Sequence, residues 1–221
     1  MRQSDISVIF DMDGTIFDTE RLVLDCWEQV GERHGILGIR EVFMHCIGTN
    51  NVRTQEIVYE HYGNDFPYEK FRGESSVLFH EIAGTQGIPV KPGAAELLKY
   101  LSEEKVPLGL ASSTRLAVVT QELQEAGLYD YFHVVVGGDL LKNSKPAPDI
   151  YMMTCRRMGA LPENTYAVED SYNGIRSAHS ACLRPIMVPD LMPATEEMRN
   201  LSVAVFEDLF QVKEYFATIL G

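Results

Sequence analysis

Short apolar runs alternate with amphipathic segments along most of the chain. The runs are rich in Val, Ile and Leu, and they are residues 6–10, 106–111, 134–136, 166–168 and 186–188. Between the last four runs lie segments of crossover-helix length, residues 116–126, 149–158 and 173–181. This βα alternation predicts an α/β fold, in which a parallel sheet is covered by helices.

The stretch between residues 17 and 88 has a different pattern. It contains no convincing strand, whereas residues 22–33, 51–62 and 68–83 have helical spacing of apolar positions. About seventy helical residues are too many for one connection. We therefore expect a core domain of residues 1–16 plus 87–221 and an inserted all-helical domain of residues 17–86, with Trp27 in the core of the insert.

Composition narrows the class of protein. The chain has 221 residues, 45% of them hydrophobic, and a formal net charge of −13, which disfavours binding to nucleic-acid phosphates. No apolar run approaches the roughly 20 residues that cross a bilayer, and a strand follows close to the N-terminus, so we expect a cytoplasmic protein. The four cysteines form no CxxC pair, which indicates buried thiols rather than a zinc site.

Two carboxylates follow the first apolar run. Asp11 and Asp13 are separated by one residue, so their side chains can face one site while Met12 points back into the core. Gly14 allows a sharp turn directly after them. An aspartate at such a position can be a nucleophile, a metal ligand or an acid/base group.

The other predicted strands also end in polar residues. Ligands of parallel sheets bind at the carboxyl ends of the strands. Ser112 follows the second run and Lys145 lies after the third, where they can bind an anion such as phosphate. Glu169 and Asp170 follow the fourth run and bring more negative charge, which a divalent cation such as Mg²⁺ would balance.

Each of these residues also has a simpler interpretation. Ser112 alone could be a helix N-cap, Lys145 a solvated loop residue, and Glu169 with Asp170 an N-cap pair. Asp149 is more simply the cap of the helix that follows. The six histidines form no spaced pair, so a metal-ligand role is not expected for them.

The combined motifs resemble the haloacid dehalogenase superfamily, and within it the beta-phosphoglucomutase-like group. The resemblance spans essentially the whole chain and rests on residues 11–15 (DMDGT), 110–113 (LASS), 144–149 (SKPAPD) and 168–175 (VEDSYNGI). It implies a Rossmann-like three-layer core with a helical cap domain inserted after the first motif.

The resemblance also implies roles for individual residues. Asp11 would be the nucleophile that becomes an aspartyl phosphate, and Asp13 the acid/base group. Lys145 and Ser112 would hold the transferring phosphoryl group.

A metal site and further contacts follow from the same resemblance. Mg²⁺ would be held by Asp11, the backbone carbonyl of Asp13, and Asp170, with Glu169 beside it. The remaining candidate contacts to the substrate are Ser113, Gly14, Arg53 and Arg115.

The helical insert departs from the mutase pattern. Beta-phosphoglucomutases carry a histidine, a lysine and an arginine at positions that hold Val23, Ile47 and Asn51 in this chain. Arg53 could replace one of these cations. We therefore expect a monomeric phosphatase for a small phosphorylated metabolite such as a sugar phosphate. A sugar phosphomutase is the first alternative, and a non-catalytic ligand-binding protein is the second.

Overall fold

The computed structural model describes residues 6–47, 49 and 51–221, and the chain divides into two compact units. One unit comprises Met1–Asp18 and Val90–Gly221, and the other comprises Thr19–Pro89. In the described residues, no helix is long and apolar enough to cross a membrane.

The larger unit is built on a six-stranded parallel sheet with the strand order β3-β2-β1-β4-β5-β6. The strands are β1 (Ser7–Phe10), β2 (Leu108–Ser112), β3 (Val134–Gly137), β4 (Thr165–Glu169), β5 (Arg184–Met187) and β6 (Ala204–Val205). Strands β1, β2 and β4 are buried along their whole length, as expected for the centre of a covered parallel sheet. The predicted α/β class and the five predicted strands are confirmed.

Helices lie on both sides of this sheet. They are α5 (Ala94–Glu103), α6 (Leu116–Glu125), α7 (Asp149–Met158), α8 (Tyr172–Ser180), α9 (Glu196–Leu201) and α10 (Leu209–Leu220). Three of them begin at a side-chain cap, from Ser171, Thr195 and Asp208, each of which accepts a backbone N–H of the first turn. The crossover helices bury their apolar faces on the strands, which fixes the loops at the strand ends.

The described residues of the smaller unit form four helices: α1 (Thr19–His34), α2 (Ile39–Cys46), α3 (Asn51–Tyr62) and α4 (Tyr68–Gln86). Trp27 is 7% exposed and packs edge-to-face on Phe43 and Phe71 at 5.2 and 5.3 Å between ring centroids. These aromatic contacts join α1, α2 and α4. Trp27 is therefore a core residue of this unit, as the sequence predicted.

Two smaller predictions were wrong. Cys182 is exposed, although the other three cysteines are buried thiols as expected. Asp149 is the first helical residue of α7 and not its cap; the cap position is Pro148, and the Asp149 carboxylate accepts a 3.1 Å hydrogen bond from the Asn143 amide.

Candidate active site

Three neighbouring strands deliver polar side chains to one edge of the sheet. Asp11 directly follows β1, while Ser112 and Glu169 are the last residues of β2 and β4. Phe10 pairs with Leu110 of β2 and with Val168 of β4, so the three polar residues lie at nearly the same height along the strand direction. The parallel register therefore brings together residues that are far apart in the sequence.

Lys145 lies at the centre of this edge, and its side chain is 6% exposed. Its Nζ is 2.5 Å from Oδ1 of Asp11, 2.6 Å from Oε1 of Glu169 and 3.0 Å from the carbonyl oxygen of Ala111. Burial lowers the pKa of Lys145, but the carboxylates of Asp11 and Glu169 outweigh that effect and raise it above its ordinary value. The lysine is a fixed positive charge.

Asp11 is buried beside this lysine. Burial raises the pKa of the Asp11 carboxyl above its ordinary value, Lys145 opposes the rise, and the negative charges of Glu169 and Asp13 add to it. A second cation bound beside Asp11 would lower this pKa again and stabilise the carboxylate form.

The site carries more negative than positive charge. Oxygen atoms of Asp11, Glu169 and Asp170 lie within 4.8 Å of one another, and all three residues are buried. One lysine cannot balance three buried carboxylates, and hard oxygen atoms are the ligands that Mg²⁺ prefers. This acidic cluster has the composition and spacing to hold a divalent cation.

Gly14 makes room for one of these carboxylates. It has a positive φ of 81°, and a Cβ placed there would lie 2.3 Å from Oδ2 of Asp170. The hydroxyl of Thr15 donates a 3.4 Å hydrogen bond to the other oxygen, Oδ1. Backbone conformation and local space both require glycine at position 14.

Asp13 faces two hydroxyl groups from the loop after β2. The Thr114 hydroxyl donates to Oδ2 of Asp13 at 2.9 Å, and the Ser112 hydroxyl donates to the same oxygen at 3.3 Å. The Ser112 oxygen also accepts the backbone N–H of Thr114 at 3.0 Å. Ser112 is therefore not the cap of α6, whose N-cap position is Arg115.

The other predicted contacts are more dispersed. Ser113 and Arg115 lie in the same loop and are exposed. Arg53 belongs to the helical unit, where its guanidinium forms ion pairs with Glu56 at 3.0 Å and Glu60 at 2.9 Å. The structure thus groups the predicted residues of the larger unit, and it places Arg53 in the smaller one.

Four hydroxyl residues at this edge were not identified from the sequence, and they are Thr15, Thr114, Tyr151 and Ser171. Ser171 caps α8, so the N-cap interpretation of the acidic pair before it was wrong. Thr15 and Ser171 lie within the quoted motifs and Thr114 directly follows one, so their positions were an available signal. Tyr151 lies inside α7 with no such signal, yet its hydroxyl donates a 2.7 Å hydrogen bond to Oε1 of Glu169.

Comparison with known proteins decides the family. Residues 8–188 match the family described as haloacid dehalogenase-like hydrolase. The chain belongs to the haloacid dehalogenase-like hydrolases. This confirms the resemblance seen in the sequence and makes the chain an enzyme of that family.

Individual members of the family are similar along most of their length. A phosphorylated carbohydrates phosphatase of Thermotoga maritima is 31% identical, over 81% of this chain and 83% of that protein. A probable pseudouridine-5'-phosphatase of Drosophila melanogaster is 32% identical, over 82% and 80%. The crystal structure of a putative beta-phosphoglucomutase from Thermotoga maritima superposes with a TM-score of 0.77 at 28% identity, covering 95% of this chain and 99% of that one.

Proposed function

We propose that this haloacid dehalogenase-like hydrolase is a Mg²⁺-dependent phosphatase that hydrolyses a small phosphorylated metabolite through an aspartyl phosphate on Asp11. The observation that carries the proposal is the buried contact of 2.5 Å between Asp11 and Lys145 at the end of β1. A carboxylate held beside a fixed cation, with a second aspartate two residues on, suits nucleophilic attack on phosphorus.

The first half-reaction transfers the phosphoryl group to the protein. An oxygen of Asp11 forms a bond to phosphorus as the bond from phosphorus to the leaving oxygen breaks. Asp13 donates a proton to that leaving oxygen, and Lys145 and Ser112 hold the equatorial phosphoryl oxygens.

The second half-reaction returns the enzyme to its starting state. Asp13, now a carboxylate, accepts a proton from water, and that water attacks the phosphorus of the Asp11 phosphate. The bond between phosphorus and Asp11 breaks, inorganic phosphate leaves, and Asp13 is again protonated for the next cycle.

The acidic cluster fits Mg²⁺ in this scheme. We propose as ligands Asp11, the backbone carbonyl of Asp13, and Asp170, with Glu169 beside them. The ion would reduce the repulsion between the carboxylate nucleophile and the anionic substrate.

Residues of the helical unit favour a phosphatase over a mutase. A phosphomutase must hold a second phosphate, and positions 23, 47 and 51 of this unit carry Val, Ile and Asn instead of basic groups. The kinship with a phosphorylated carbohydrates phosphatase supports a sugar phosphate as substrate. We propose Ser113, Arg115 and Arg53 as further contacts to the substrate.

A sugar phosphomutase is the second candidate, because of the structural similarity to a putative beta-phosphoglucomutase. In that case Arg53 would hold the second phosphate. A non-catalytic binding protein is disfavoured, because the aspartate pair is present and Lys145 contacts Asp11, which is itself part of the acidic cluster.

One experiment separates these functions. Phosphate release is measured with Mg²⁺ over phosphorylated sugars, phosphoglycolate and nucleotides, beside a coupled assay for conversion of beta-glucose 1-phosphate into glucose 6-phosphate. We expect phosphate release from one preferred class of ester. Isomerisation with little phosphate release would establish the mutase. If neither reaction is observed, the non-catalytic binding protein is the remaining candidate.

The control variant is Asp11→Asn, which is nearly isosteric. We expect it to lose phosphate release, to below about 1% of the wild-type rate, while it keeps a cooperative thermal transition. Activity well above that level would show that Asp11 is not the nucleophile.

A further inference from the structure

Glu169 is fully buried, and protein donors surround its carboxylate. Oε1 accepts hydrogen bonds from Lys145 at 2.6 Å and from the Tyr151 hydroxyl at 2.7 Å. Oε2 accepts the hydroxyl of Ser171 at 3.0 Å and its backbone N–H at 3.3 Å. A carboxylate offers about four acceptor positions, so these donors use all of them.

The backbone also holds this carboxylate in place. A Cβ at Gly174 would lie 1.9 Å from Oε1 and 2.0 Å from Oε2 of Glu169, so the first turn of α8 closes directly over the group. With its acceptor positions used and its surroundings closed, Glu169 is suited to hold a neighbouring cation rather than to serve as an exchangeable ligand.

We propose that Tyr151 is a positioning residue, whose hydroxyl fixes Glu169 so that Glu169 in turn holds the Lys145 ammonium against Asp11. This proposal rests on the phosphoryl transfer proposed above. It assigns Glu169 to the orientation of Lys145 and leaves metal binding to Asp11, Asp170 and the backbone carbonyl of Asp13.

The tyrosine is well suited to this role in two ways. Burial raises the pKa of Tyr151 well above its ordinary value, and the negative charge of Glu169 adds to the rise, so the phenol keeps its proton and is the donor. The Lys145 ammonium also lies over the Tyr151 ring, 5.1 Å from its centroid. One side chain therefore contacts both members of the Lys145–Glu169 pair.

The test compares Tyr151→Phe with Tyr166→Phe. The first variant keeps the ring beneath Lys145 and removes the hydroxyl. Tyr166 is also buried and belongs to β4 like Glu169, but its ring lies under Arg184 and its hydroxyl pairs with Tyr215, so it is a matched control for loss of a buried phenol.

Four quantities are measured on each protein. Two are kcat and KM for phosphate release, and the third is the Mg²⁺ concentration that gives half-maximal activity, called the Mg²⁺ midpoint. The fourth is the Cε–Hε resonance of Lys145 in metal-free protein with ¹³C-labelled lysine. The resonance is assigned with Lys145→Arg.

For Tyr151→Phe we expect kcat to fall about tenfold, with KM and the Mg²⁺ midpoint within about twofold of wild type, because a charge-assisted hydrogen bond is lost and the metal ligands are kept. The Lys145 resonance should shift in this variant and stay in place in Tyr166→Phe. These results together support the proposal.

Other results overturn it. An unmoved Lys145 resonance, or a kcat equal to that of Tyr166→Phe, would show that Tyr151 does not position the lysine. A rise in the Mg²⁺ midpoint that matches the loss of kcat would assign Tyr151 and Glu169 to the metal site. If the wild-type protein releases no phosphate, the proposed function fails, and the Lys145 resonance still decides whether Tyr151 holds the lysine.

Discussion

The Thr114 hydroxyl donates a 2.9 Å hydrogen bond to Oδ2 of Asp13, the aspartate proposed as the acid/base group. This bond fixes the rotamer of Asp13, and it leaves the other carboxyl oxygen to carry the transferred proton. A threonine two residues beyond the end of β2 thus orients a side chain that follows β1.

We predict that Thr114→Val lowers kcat/KM for an alkyl phosphate about tenfold, because Asp13 loses the contact that aims it at the leaving oxygen. Hydrolysis of p-nitrophenyl phosphate should change much less, since p-nitrophenolate leaves without a proton. Initial rates on the two substrates check this. Equal losses on both would contradict a role for Thr114 through acid catalysis.

The matched control for that change is Thr165→Val. Thr165 is fully buried at the start of β4, away from the strand ends that form the site, and its hydroxyl donates to the carbonyl oxygen of Leu161 at 2.8 Å. The control should lose stability without altering the ratio of the two kcat/KM values.

A second prediction concerns the contact between Gly14 and Asp170. In Gly14→Ala the new methyl group would meet Oδ2 of Asp170, so the carboxylate must move and the Mg²⁺ midpoint for activity should rise about tenfold or more. The positive φ adds about 1–3 kcal/mol of backbone strain, which lowers Tm.

Gly127→Ala separates those two effects. Gly127 has a similar φ of 68°, and no described atom lies within 4 Å of the position that its Cβ would take. It should lose stability through strain and keep the wild-type Mg²⁺ midpoint. An unchanged midpoint in Gly14→Ala would remove Asp170 from the proposed ligand set.

The fold was largely predictable because buried parallel strands give continuous apolar runs. The sequence did not reveal β6, since a strand of two residues, Ala204–Val205, is too short to form a pattern. Helices α2, α5, α9 and α10 were also missed. Helix α2 has eight residues and begins after Gly38 without a side-chain cap, so it lacks the usual signals at its start.

The candidate site was predictable where residue type and strand position coincide. Asp11, Lys145 and Asp170 belong to motifs at strand ends, and the structure brings them together. Tyr151 could not be found in this way, because its contact with Glu169 depends on how α7 packs against the sheet. A tyrosine in an amphipathic helix has the same local pattern whether its hydroxyl reaches a carboxylate or solvent.

A third prediction concerns Glu122 in α6. Burial raises its pKa to about 7, and the negative charges of Asp13 and Glu125 add to the rise. The ordinary pKa of a glutamate in an unfolded chain is 4.5, so between pH 4.5 and about 7 the folded state binds more protons than the unfolded state. The contribution of Glu122 to the free energy of unfolding is therefore fully present below pH 4.5, and it is lost as the pH rises to about 7.

Glu122→Gln removes that loss, because a neutral amide cannot ionise. At about pH 8 we expect the free energy of unfolding to exceed that of the wild type by about 1 kcal/mol, or roughly 2–4 °C in Tm. This gain is smaller than the full pKa shift would give, because solvent screens the charge at a half-buried site. The gain should vanish near pH 4.5, where Glu122 is protonated in the folded state. Glu96→Gln, an exposed change in α5, serves as the control in thermal melts across this range. A gain that is the same at both pH values, or that Glu96→Gln reproduces, would mean that ionisation of Glu122 does not limit stability.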